Sequence, residues 1–133
     1  MAKPYSLSLS LSSSASILVK IKEVYLIWIK IVPHIQKSVR ITAGARIENR
    51  FLDLLELSYN TYFAKKEVKL EKISECVRIL NTLKFLISVL WEGKLISNKH
   101  LGEISLKLNE IGKMLNGWKN NLNKNSRPNK NYS

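Results

Sequence analysis

The sequence predicts an all-α chain, an antiparallel up-down four-helix bundle with a flexible tail at each end. Three observations predict it. Apolar residues recur at spacings of three and four over long segments, which is the helical period rather than the alternation of a strand. With 5 glycines and 3 prolines in 133 residues, the chain is poor in the turn residues a β fold needs. The breaks that do occur, at Pro33, in the AKKE stretch at 64–67 and at Gly93, separate segments of similar character. A chain of this length buries roughly two-thirds of the surface its unfolded form exposes, so one core is expected.

The N-terminal stretch PYSLSLSLSSS, from Pro4 to Ser14, alternates leucine with serine. Alternation is a strand signature, but no second strand is available to pair with it. Nor is it read as an export signal, whose apolar segment is expected to run unbroken for about 7 to 15 residues. Residues 1–15 are read as a flexible Leu/Ser tail. The first helix is expected over 16–32, ending before Pro33, which cannot continue a helix interior. Ile17, Ile21, Val24, Trp28 and Ile31 form one apolar row along it; Leu18, Tyr25, Ile29 and Val32 form a second. One row can face the rest of the bundle. The second is read as an oligomer interface, because an exposed apolar stripe of that length is an association site. The competing reading wraps the other helices around the first on both sides.

A second helix is expected over 42–64, with Ile47, Phe51, Leu54, Leu55, Ser58 and Tyr62 on one face and Arg46, Arg50 and Asp53 along its flank. A third covers 68–92 in two adjacent stripes, one through Ile73, Val77, Leu80, Ile87 and Trp91, the other through Cys76, Ile79, Leu83, Leu86 and Leu90. Gly93 supplies its C-terminal break. The fourth, over 98–122, carries the clearest seam, Leu101, Ile104, Leu108, Ile111, Leu115, Trp118 and Leu122, with Ser97 or Asn98 as N-cap. Residues 123–133, Asn-rich and basic, are read as a second tail.

Charge is the unusual total. The chain holds 22 Lys and Arg against 10 Asp and Glu, a net charge of +12 and a pI near 9.9. The surplus concentrates at the ends of the chain, since residues 41–64 are slightly acidic. Such an excess points to a polyanionic partner, RNA or DNA above all. Cys76 is the only cysteine, which excludes an intrachain disulfide and fits a reducing, cytoplasmic setting. Lys20, Lys22, Glu23 and Lys30 interrupt the most apolar region, so no membrane span of about 18 apolar residues is expected.

Enzyme chemistry finds little support. Catalysis needs a base beside a nucleophile, or two carboxylates across a cleft, and neither pattern is present. His34 and His100 stand apart in the sequence and suit surface or capping roles. Glu67, Glu71 and Glu75 recur among Lys65, Lys66, Lys69 and Lys72, as on a solvated helix face. There is no Gly-rich phosphate loop and no metal spacing, so no cofactor is expected. The basic residues say more: Lys37, Arg40, Arg46, Arg50, Lys65, Lys66 and Lys69 cluster on or beside the helix connections, where they suit phosphate contact without base specificity. Lys84 falls inside the apolar arc of its helix, where a lysine must snorkel, pair or line a wet surface.

Three segments carry a resemblance: RITAGARIEN at 40–49, LKFLISVLWEGKLIS at 83–97, and above all LNEIGKMLNGWKNNL at 108–122. In these the chain resembles the bacterial four-helix-bundle family of the accessory variability determinant (Avd) of diversity-generating retroelements, together with the proteins of 23S rRNA intervening sequences. The closing pattern is Ile111, Gly112, Leu115, Gly117 and Trp118; Asn116 stands where relatives often have glycine. The resemblance implies a barrel-like homopentamer, basic on its surface and without catalysis of its own. It also implies binding to nucleic acid and to a reverse transcriptase during mutagenic retrohoming. Arg78 and Lys84 join the expected nucleic-acid surface on the helix that carries the LKF motif. An intervening-sequence protein with a structural or RNA-associated role, and no polymerase partner, is the alternative.

Overall fold

The structure is a computed structural model and describes residues 13–126. All of its regular structure is helical. The long helices are α1 (Ser13–Ile31), α2 (Ala45–Phe63), α3 (Lys66–Glu92) and α4 (Asn98–Ser126). Each packs on two others: α1 touches α2 and α4, and α3 touches α2 and α4.

The core lies where the four apolar faces meet. From α1 it takes Ile17, Ile21, Val24, Trp28 and Ile31, the first of the two expected rows. Trp28 stacks on Phe51 of α2 at 6.0 Å. Ile73, Leu80, Leu83 and Ile87 of α3 and Ile104, Leu108, Ile111 and Leu115 of α4 complete it. Trp91, expected in one of the α3 stripes, is instead 40% exposed. It lies in the last turn of the helix, and its indole Nε1 donates to Asn98 Oδ1 at 2.7 Å.

The connection between α1 and α2 is more helical than expected. A 3-10 turn (Val32–His34) holds Pro33 in its second position, where its fixed φ suits a helical turn, and Ile35 then inserts into the core. A helical turn (Lys37–Val39) and a π-helical turn (Arg40–Gly44) lead directly into α2, so helical backbone begins at Lys37 rather than at 42. Gly44 is buried here, and a Cβ on it would come to 3.3 Å from the Val39 carbonyl oxygen. The wide turn closes without strain because glycine stands at its tightest point.

The α2–α3 turn is short, with Ala64 and Lys65 both extended. The α3–α4 connection is a Schellman close. Leu95 N–H donates to the Leu90 carbonyl at 2.8 Å, and Lys94 N–H to that of Trp91 at 2.9 Å. The left-handed residue is Lys94, with φ of 60°, not Gly93, whose φ is −79°. The expected glycine stop is thus displaced by one residue, onto a side chain that adopts this conformation at a cost. Ser97 is the N-cap of α4: its Oγ accepts from the His100 N–H at 3.1 Å.

Helix α1 begins at Ser13 and α4 runs to Ser126, each a few residues beyond the expected bounds. The remaining residues of the two expected tails, 1–12 and 127–133, lie outside the described residues.

Candidate nucleic-acid interface

The expected cations fall into three environments. Arg50 and Arg78 are held by carboxylates one turn away. Arg50 Nη2 lies 3.1 Å from Asp53 Oδ2; Arg78 makes a forked contact with Glu75, its Nε donating at 3.1 Å. That contact holds the Glu75 carboxyl below the usual carboxylate range and raises Arg78 further, in both cases chiefly through the hydrogen bond. Both are therefore partly neutralised before any phosphate arrives.

Lys84 occupies a second environment. It is half-buried in a groove of about 900 Å³ between α3 and α4, with Asn81, Lys107, Glu110 and Lys113. Its Nζ lies 3.5 Å from where a Cβ on Gly112 would stand, so the lysine crosses to α4 over a glycine. This resolves its place in the apolar arc: Lys84 and Leu80 both line the groove beside Gly112, and the lysine's charge reaches it. Across the α1–α4 side, Glu110 is 3.7 Å from Lys20, and Glu23 is 3.9 Å from Lys20 and 4.0 Å from Lys107. This flank is charged but internally compensated.

In the third environment Lys37, Arg46, Lys65 and Lys66 are exposed and Arg40 and Lys69 half-buried. Among the described residues none of these six has a carboxylate within 4.0 Å. They fall into two groups, at the connection before α2 and at the α2–α3 turn. The second group has neighbours that sequence reasoning did not single out: Tyr59 and Phe63 are 53% and 63% exposed, with ring centroids 5.0 Å apart. Tyr62 meets Phe63 edge-on at 4.9 Å. The available signal was an aromatic pair one helical turn apart, two residues before a lysine pair.

The second apolar row of α1 is largely covered by its own chain. Leu18 is 7% exposed, and Val32 is half-buried against the core. Tyr25 is half-buried, 6.0 Å from the Phe51 ring; burial first, and then its hydrogen-bonded neighbour Glu48, raises its hydroxyl above the usual tyrosine range. Of the expected interface only Ile29 stands open, at 40%. Leu26 on α1 and Leu52 on α2 are exposed as well, and a separate α1–α2 groove of about 440 Å³ is lined by Leu18, Lys22, Leu55 and Tyr59. The row faces α2 for most of its length, which periodicity on α1 alone did not reveal.

Other chemistry-bearing groups are sparse. Cys76 is buried against Ser58, whose Oγ lies 3.7 Å from its Sγ. Burial pushes the thiol up, outweighing the hydrogen bonds from Ser58 and Thr61 that lower it, so it remains protonated at neutral pH. His34 and His100, far apart in sequence, bring their rings to 5.3 Å. Among the described residues no three His, Cys, Asp or Glu side chains gather to hold a metal ion. None of the described helices is long and apolar enough to cross a membrane.

A family model described as bAvd-like matches residues 11–122, and the chain belongs to that family. No curated protein and no solved structure matches it.

Proposed function

We propose that this bAvd-like protein is a non-enzymatic, oligomeric accessory factor. In this reading it binds nucleic acid and a reverse transcriptase and supports template-primed cDNA synthesis in mutagenic retrohoming of a diversity-generating retroelement. Family membership supports the accessory role. The observation that carries nucleic acid is the set of cations at the two connections that have no carboxylate partner among the described residues, on a chain of net charge +12. Such cations are available to neutralise phosphate, and the polymerase supplies the reaction.

The bundle reading is up-down. Lys20 and Glu23 of α1 meet Glu110 and Lys107 of α4, and His34, in the 3-10 turn that follows α1, meets His100, so position falls along α4 as it rises through α1 and that turn. The open apolar strip around Leu26, Ile29 and Leu52 is where neighbouring subunits of a homopentamer would meet, with Tyr25 and Val32 at its edge.

The test is reconstitution. The purified protein should elute with its reverse transcriptase, have the native mass of five chains, and be required for cDNA synthesis on the retroelement RNA. Its affinity for RNA should fall linearly on a log–log salt plot. The variant Arg40→Gln/Arg46→Gln should flatten that slope by about 1.4 to 1.8. A polymerase equally active without the protein, or salt-independent binding, would overturn the proposal.

A further inference from the structure

We infer that the α2–α3 end is a stacking platform for single-stranded nucleic acid, with Tyr59 and Phe63 taking bases and Lys65, Lys66 and Lys69 taking the flanking phosphates. The inference rests on the nucleic-acid reading above and gives it a place and a strand preference.

Exposed aromatic rings are uncommon without a partner, because each leaves a large apolar face in water. Here two lie together, 53% and 63% exposed, at the C-terminal end of α2. Their centroids are 5.0 Å apart, and Tyr62 braces Phe63 edge-on at 4.9 Å, which limits its freedom before anything binds. The next exposed groups along the chain are Lys65 and Lys66, with Lys69 one helical turn further on. No carboxylate lies within 4.0 Å of these three among the described residues.

An apolar patch alone fits many partners, but aromatic faces followed along the chain by cations with no carboxylate in reach among the described residues fit a polyanion that also offers planar faces. A single strand offers both at the spacing of each nucleotide. A duplex offers only phosphates here, since its bases are already stacked on one another. An acidic peptide would satisfy the lysines and leave the rings without a planar partner.

The experiment measures anisotropy of fluorescein-labelled oligo-dT and of a blunt duplex of equal length, with the full chain at several salt concentrations. Phe63→Ala should weaken oligo-dT binding about tenfold while leaving the duplex within about twofold and the salt slope unchanged. Phe63→Trp should retain affinity, and its added indole should be quenched by the strand. Lys65→Gln/Lys66→Gln should flatten the single-strand slope by about 1.4. Matched thermal melts separate binding from folding, because Phe63 is exposed and its truncation leaves the core intact. If wild type binds but Phe63→Ala and Tyr59→Ala bind oligo-dT as well as wild type, or lose strand and duplex equally, the platform is overturned and the general nucleic-acid reading stands. If wild type binds neither probe at low salt, both fail, and an acidic protein becomes the partner to seek.

Discussion

The two ends of the bundle are built differently. At one end the α1–α2 and α3–α4 connections fold back onto the core: Ile35 and Ile96 are buried, Trp91 bonds to Asn98, and the rings of His34 and His100 approach each other. At the other end the α2–α3 turn has only two extended residues and sends no side chain of its own into the core cluster. The buried layer behind it includes the polar side chains Ser58, Thr61 and Cys76, where the loop residues buried at the first end, Ile35 and Ile96, are hydrocarbon. What stands outside that turn is aromatic and cationic. The closed end therefore contributes stability, while the open end trades buried area for an accessible, charged surface.

The largest effect should come from the closed end. Ile96→Ala, at a loop residue only 7% exposed, is expected to cost about 2 to 5 kcal/mol in urea unfolding. Lys66→Ala, exposed at the open end, should stay within about 0.5 kcal/mol. Comparable losses at both positions would break the contrast. A smaller gain is expected from Lys94→Gly, which removes a side chain from the left-handed position of the Schellman close; the melting midpoint should rise by the equivalent of about 1 kcal/mol.

The smallest effect is pH dependence, and it sharpens the comparison by titrating each end separately. The Cys76 thiol is raised above its ordinary 9.0 by burial. As pH rises through that value the unfolded chain loses the proton first, so this group's stability is full below it and declines above. Tyr25, toward the closed end, is raised above 10.0 and should add a second decline starting there. Unfolding midpoints followed from about pH 7 upward should show the first decline flattened in Cys76→Ala and the second in Tyr25→Phe.

Much of this was legible in the sequence. The helix-period row from Ile17 to Ile31 and the seam from Ile104 to Leu115 mark buried faces, because a residue that recurs every three or four positions must share one side of its helix. The break residues were legible too, although their geometry was not. Pro33 lies inside a 3-10 turn that begins at Val32, and the left-handed position belongs to Lys94, since backbone hydrogen bonds around the close, not residue preference, decide which residue takes it.

The site was less legible than the core. Arg50 and Arg46 look equivalent along the chain, and among the described residues only the former has a carboxylate in reach. Charge counts cannot separate a paired cation from a free one, because pairing depends on side-chain geometry. The aromatic pair beside Lys65 was present in the sequence as a pattern, yet in a bundle most aromatic residues are core, and burial alone distinguishes them.

By itself the sequence determined the helical class, the division into four long segments, the basic character and the family, all of which depend on local periodicity and composition. Tertiary structure alone decided that the second row of α1 is mostly covered by α2, that Lys84 crosses to α4 over Gly112, and that Tyr59 and Phe63 stand open. Each of these depends on which helix lies opposite, and that is a property of packing between segments distant along the chain.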